Sequence, residues 1–167
     1  MKLLIGIMLI ILSCIGITTC TVKNIQFDRN CGGYLKRAAD ANTIELAKVE
    51  LSRAIKYMDE NNLKSGYTSV IYTTPDEDVG FWYTNVTKSY TELNALDSTS
   101  TSLEKSNMLM KLRETLLDHQ KDGDSVTLPA GISRYPNNAM WGVIMWISSI
   151  LFLIGIGMIV WDILDSD

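Results

Sequence analysis

The chain has 167 residues, a formal charge of −4 and 47% apolar residues, enough for one modest domain. Its Lys and Arg residues are dispersed and form no basic stripe, which excludes the electrostatic footprint of a nucleic-acid binder. Three cysteines without short paired spacing support neither a disulfide framework nor a thiolate metal site, although Cys20 and Cys31 could form one bridge in an exported domain.

The first element is a charge-free run over 3–19, LLIGIMLIILSCIGITT, preceded by Lys2. A helix needs about 20 residues to cross a hydrocarbon core of about 30 Å, with a working range of about 17 to 25. The run stands at the lower edge of that range and reads as a retained N-terminal membrane anchor over residues 1–20. A cleaved secretory signal is one alternative. Lipidation at Cys20 is another, weakened by Thr19, which is bulkier than the residue usually found before a lipidated cysteine.

Residues 21–138 read as a mainly helical soluble head. Thr21 to Asn30 could continue the first helix or form an extended stalk, and Gly32-Gly33 reads as punctuation. Ile44, Ala47, Leu51, Ala54, Ile55 and Met58 recur at separations of three and four, predicting one core-facing helix from about Tyr34 to Asn62. Glu45 with Lys48, and Glu60 with Lys64, have the spacing for mutual support on its surface. Tyr67 to Thr73 leans towards a strand or an extended linker. Thr74-Pro75-Asp76-Glu77 offers an N-cap, a proline at the first helical position and a capping-box glutamate, predicting a helix start there. Val79, Trp82 or Tyr83, Val86, Tyr90, Leu93 and Leu96 carry its period onward.

The polar stretch Asp97 to Ser102 leads to a third helix, capped by Ser100 or by Thr101 with Glu104. Leu109, Leu112 and Leu116 supply its apolar face, broadened by Leu103, Met110 and Leu117. Asp122-Gly123-Asp124 ends it, and Val126 to Leu128 could make a short strand pairing with Tyr67 to Thr73. Pro129, Gly131 and Pro136 then constrain a loop. Amphipathic helices that bury one another's stripes predict a three- or four-helix bundle, with a minor β element and a fourth helix supplied by extension of the anchor.

Residues 139–161 contain no charge and read as a C-terminal transmembrane helix, followed by an acidic tail over 162–167. Trp141 and Trp161 stand 20 residues apart, about 30 Å along a helix, and would serve as membrane-interface anchors, with Trp146 deeper. Gly142, Ser148, Ser149, Gly155 and Gly157 permit close helix approach. Their expected partner is the first helix, with its Gly6 and Gly16, or another subunit. Two spans place both termini on one side. Lys23, Arg29, Lys36 and Arg37 argue for a head kept inside, but the signal-anchor character of the first 20 residues favours the extracytoplasmic side.

Little in the chain points to chemistry. His119 is the only histidine and reads as a C-terminal helix residue beside exposed carbonyls. There is no HExxH, phosphate-binding glycine loop, nucleophile elbow or CxxC, so no catalytic, cofactor or metal residues are assigned. Asp76-Glu77-Asp78 suits helix capping better than a cation, and Asp118, Asp122 and Asp124 are likewise not assigned to a metal. Phe81-Trp82-Tyr83 is the most conspicuous aromatic cluster; successive helical side chains diverge, so core packing is expected together with a partner or ligand surface that also takes in Tyr90. Asn85-Val86-Thr87 would accept a glycan only in a eukaryotic secretory route.

The leading expectation is a noncatalytic, membrane-anchored structural or interaction subunit that meets the lipid bilayer and a membrane-protein partner or a second copy of itself. An extracytoplasmic small-ligand sensor working through a separate output protein is the main alternative, since an acidic tail of six residues cannot form a signalling domain. A small membrane-associated hydrolase built around His119 is the third.

Overall fold

The computed structural model describes residues 2–96, 99–120 and 123–165, without the side chains of His119 and Gln120. Asp97 and Ser98 of the expected polar stretch, and Asp122, lie outside this description. The chain divides into two compact units, one of Met1–Ile25 with Asn137–Asp167 and one of Gln26–Pro136.

The first unit contains most of α1 (Lys2–Phe27) and α6 (Asn138–Leu164). Both helical runs are long and apolar enough to cross a membrane, and only 17% and 11% of their most apolar windows are buried. The core helix of a soluble domain would be covered on most sides. Hydroxyls within these helices turn back onto their own backbone: Thr19 and Thr21 donate to the carbonyls of Ile15 and Ile17 at 2.8 and 3.1 Å, and Ser149 donates to Met145 at 2.8 Å. Each is satisfied without water.

The second unit is a helical bundle with a small hairpin. A π turn over Asp28–Gly32 leads directly into α2 (Gly33–Ala39), so Gly32-Gly33 does not interrupt the helix. A Cβ on Gly33 would lie 2.9 Å from the Asp28 carbonyl, a reason for glycine where the wide turn closes. The single helix expected over Tyr34–Asn62 is two. The chain breaks at residues 40–43, and α3 (Ile44–Glu60) starts afresh under Thr43, which is extended and whose Oγ1 accepts from the Leu46 N–H at 3.2 Å. The break lets α2 pack on α3 through Leu35 and Ala38 on one side and Ala47, Leu51 and Ala54 on the other, all fully buried.

The second predicted helix begins four residues later than its sequence signature. Thr74 and Glu77 do form a capping box, with Thr74 Oγ1 donating to Glu77 Oε2 at 2.7 Å, but it encloses one 3₁₀ turn, Pro75–Glu77. Asp78 is extended and caps α4 (Val79–Ala95) itself, its Oδ1 accepting from the Phe81 N–H at 2.9 Å. Of the two caps expected for α5 (Ser102–Leu116), Thr101 is the one formed, with Glu104 in a reciprocal capping box. Val79, Val86 and Leu93 of α4 and Leu112 and Leu116 of α5 complete the core.

The β element differs from expectation. Tyr67 to Thr73 forms no strand and contributes one isolated bridge, Tyr67 to Asp78. Instead β1 (Leu117–Gln120) and β2 (Gly123–Val126) pair antiparallel, Leu117 opposite Val126 and His119 opposite Asp124. A partner six residues away closes a far smaller loop than one fifty residues away, which favours the local hairpin. His119 therefore belongs to a strand and not to a helix C-terminus.

Ion pairs are also redistributed. Glu60 pairs with Lys56 at 3.8 Å, Lys64 with Asp59 at 3.3 Å, and Lys48 donates to the Leu96 carbonyl at 3.3 Å. Arg113 of α5 holds Asp124 of β2 at 2.7 Å and Asp40 at 3.6 Å, and the hydrogen bond to Asp124 is the main cause of its raised pKa. Among the described residues Glu50 is the one charged residue of the fully buried large side chains: its Oε1 accepts from Arg37 of α2 at 2.8 Å and from Arg53 at 3.3 Å, while Oε2 is buried without a hydrogen-bond partner. Arg53 also lies over the Tyr34 ring, 5.5 Å from its centroid.

All three cysteines are free, so the Cys20 to Cys31 bridge is not formed. Burial pushes the Cys31 thiol from 9.0 up to about 12.

Two predictions follow from this core. Arg37→Met leaves Glu50 with one partner and should cost about 1–3 kcal/mol of head stability, read from denaturant unfolding in detergent; an unchanged midpoint would show the pair to be idle. Because the Cys31 thiol titrates higher in the folded state than in the unfolded one, its contribution is complete below about pH 9 and is lost as pH rises towards about 12. Cys31→Ala should flatten the alkaline loss of stability across that window, and a water-soluble maleimide at neutral pH should reach Cys31 only after unfolding.

Candidate functional site

Two sets of residues were expected to make contacts of functional interest: the small residues of α6 and the aromatic cluster of α4. The structure sorts both.

In the first unit α1 and α6 run antiparallel, and they pack tightly at glycine. A Cβ on Gly6 would sit 2.9 Å from the Gly155 carbonyl, and one on Gly155 would sit 2.9 Å from the Gly6 carbonyl and 2.8 Å from Ile10. Two turns along, buried Ser13 donates from Oγ to the Ser148 carbonyl at 2.6 Å, and a Cβ on Gly16 would collide with the Ser148 hydroxyl. Ser148 and Gly155 are the two buried residues of α6. A side chain at Gly142 or Gly157 would meet nothing within 4 Å, and Ser149 is engaged with its own helix. The expected packing set is thus divided, with Ser148 and Gly155 in the seam and Gly142, Ser149 and Gly157 outside it.

Both ends of the pair place a lysine over a tryptophan. Lys2 lies 5.7 Å from the Trp161 ring centroid and 3.5 Å from Asp165, and Lys23 lies 5.8 Å from the Trp141 ring centroid. Lysine stems that lie along apolar surface while the ammonium reaches a ring face suit a boundary between hydrocarbon and water. Trp146, between them, is exposed.

In the second unit Phe81, Trp82 and Tyr83 diverge as consecutive helical residues must. Phe81 is 65% exposed. Trp82 is buried, and its indole Nε1–H donates to the Thr127 carbonyl at 3.0 Å, tying α4 to the segment after β2. Tyr83 packs on the core and its hydroxyl donates to Asp59 Oδ1 at 2.8 Å; that hydrogen bond, then burial, then the Asp59 charge raise its pKa. Tyr90 is a half-buried member of the core margin.

Only Phe81 and Trp82 of this set face a common space. They line a cleft of about 310 Å³ together with Asp76, Asp78, Asp118 and Pro129. Its lining among the described residues includes three carboxylates and no Lys or Arg. Asp76 and Asp78 arrive on the turn before α4, and Asp118 arrives on β1 because the Thr127 N–H donates to the Leu116 carbonyl at 2.9 Å and closes the hairpin against α5. Asp118 and Thr127 are site residues that local sequence patterns do not connect to Phe81; the signal was hairpin pairing, which the helical period of Leu109, Leu112 and Leu116 obscured. Such a cleft can accept an organic cation, its charge facing carboxylates and its stem lying on aromatic and proline surface. Among the described residues no group of His, Cys, Asp and Glu side chains is arranged to hold a metal ion.

The seam makes a directional prediction. Gly6→Leu or Gly155→Leu should separate α1 from α6 and lower the thermal midpoint of the detergent-solubilised chain, whereas Gly142→Leu and Gly157→Leu should leave it within error; equal effects at all four would remove the seam. Comparison of the chain with protein-family models, curated proteins and solved structures finds no match.

Proposed function

We propose that the chain is a noncatalytic, membrane-anchored interaction subunit whose helices α1 and α6 cross a bilayer as a hairpin and whose helical head engages a partner through the cleft at Phe81. The observation that carries the membrane half is the pairing of α1 with α6. Their small and hydroxyl-bearing residues meet in the seam, their large apolar side chains remain exposed, and a lysine-tryptophan contact closes each end. Lys2 to Lys23 is 21 residues and Trp141 to Trp161 is 20, each about 30 Å of helix, which suits the thickness of a hydrocarbon core. In lipid the seam would hold by close packing and by the Ser13 hydrogen bond, since apolar burial gives no advantage there.

The interaction half rests on Phe81. An exposed aromatic beside a well-formed acidic cleft is suited to an anchor contact with a basic side chain of a partner. The signal-anchor character of the N-terminal run favours an extracytoplasmic head. A small-ligand sensor is the second reading, favoured by the cleft beside Trp82 but weakened by Tyr83 and Tyr90, which pack against the core and do not line it.

Extraction in mild detergent followed by mass measurement of the intact particle should recover a stoichiometric partner. Phe81→Ala combined with Asp118→Asn should weaken that association by about tenfold or more while leaving the unfolding midpoint of the head in place. A solitary monomer under the same conditions would count decisively against a subunit role.

A further inference from the structure

From Ser65 to Pro75 the chain carries no charged side chain. The loop within that stretch exposes three large apolar residues in succession, Val70 at 62%, Ile71 at 80% and Tyr72 at 72%. Its base is tied. The Thr68 N–H donates to the Glu77 carbonyl at 3.0 Å, the Val79 N–H donates to the Gly66 carbonyl at 2.9 Å, and Tyr67 bridges Asp78. The tip is turned by the Tyr72 N–H donating to Ser69 Oγ at 2.9 Å. An apolar run held out on a fastened stem is a poor surface for water and marks contact with something apolar.

A second contact restricts where that stem can be. The Tyr135 hydroxyl donates to the Ser65 carbonyl, and the next residue, Gly66, has φ +93° and leaves no room for a Cβ beneath the Tyr135 ring. Tyr135 precedes Asn138, the first residue of α6, by three residues. Three residues span at most about 11 Å of extended chain, so the covalent path alone keeps this loop base close to the start of an apolar helix.

We propose that Val70, Ile71 and Tyr72 insert into the interfacial layer of the same bilayer that holds α6, giving the head a third membrane attachment. The inference rests on the membrane reading of α1 and α6. Lipid is the occupant that fits: it is supplied by the chain's own spans, it is held within reach by the tether, and it has no charge pattern for an uncharged loop to match. Tyrosine beside aliphatic residues also suits the headgroup boundary. The apolar tip would lie about 5–10 Å into that boundary.

The full-length chain with Cys14→Ala and Cys20→Ala, in which Cys31 is shielded by burial, would carry one environment-sensitive fluorophore at Ile71→Cys, Lys88→Cys or Ile150→Cys in lipid nanodiscs. Lipids bearing a nitroxide high on the acyl chain should reduce emission at position 71 about twofold or more, as expected at interfacial depth, and leave position 88 unchanged. Quenching at 150 without quenching at 71 would overturn the loop attachment and leave the spans intact. No quenching at 150 by lipids bearing the nitroxide near the end of the acyl chain, at the depth of mid-span, would remove both. A blue-shifted but unquenched label at 71 would place the tip in a protein groove and equally overturn the proposal.

Discussion

A backbone surrounded by apolar side chains must satisfy its own polar groups, and most of this chain's design follows from that constraint. Helices α1 and α6 close their backbone bonds internally, and Thr19, Thr21 and Ser149 return their hydroxyls to carbonyls of the same helix. Ser13 does something different. Its hydroxyl crosses to the Ser148 carbonyl, and that contact is possible only because Gly6, Gly16 and Gly155 remove the side chains that would hold the helices apart. Small residues and one buried hydrogen bond therefore work as a single device: the glycines set the distance and the serine sets the rotation.

The second unit solves a different problem, a core to fill. Alanines at 38, 47 and 54 bring α2 and α3 together, while leucine, valine and methionine side chains of α3, α4 and α5 fill the wider spaces. The hairpin after α5 is small, but it has two effects on the candidate site. It delivers Asp118 to the cleft, and it positions the Thr127 carbonyl that accepts from Trp82. The cleft thus depends on α4, the turn before it and the hairpin, three pieces of chain separated by up to about fifty positions.

How much of this was legible in sequence depends on how local each cause is. The Thr101 and Glu104 cap was readable because both partners lie within one turn. The Thr74 and Glu77 box was also readable, yet its consequence was not, because Asp78 offers a competing cap and the 3₁₀ turn ends there. The break before Thr43 leaves no apolar irregularity, since Ala38, Ala39, Ala41 and Ile44 are all buried on either side of it. On α6 the helical angle does separate the small residues: at about 100° per residue, Gly155 falls within about 20° of Ser148, whereas Gly142, Ser149 and Gly157 fall about 100° or more away. The cleft was the least legible, because Phe81 and Asp118 meet only through tertiary structure.

The buried carboxylate of Glu50 has a consequence for how the head can move. Arg37 approaches it from α2 and Arg53 from α3, so one anion is shared between two helices whose remaining contacts are mostly small and apolar. Alanine surfaces alone would slide with little penalty. Displacing α2 by one turn, about 5.4 Å, would carry Arg37 out of reach and strand half of the neutralising charge. The ion triad is therefore a detent in an otherwise smooth track, and any shear transmitted through the bundle would have to lift out of it before α2 could advance.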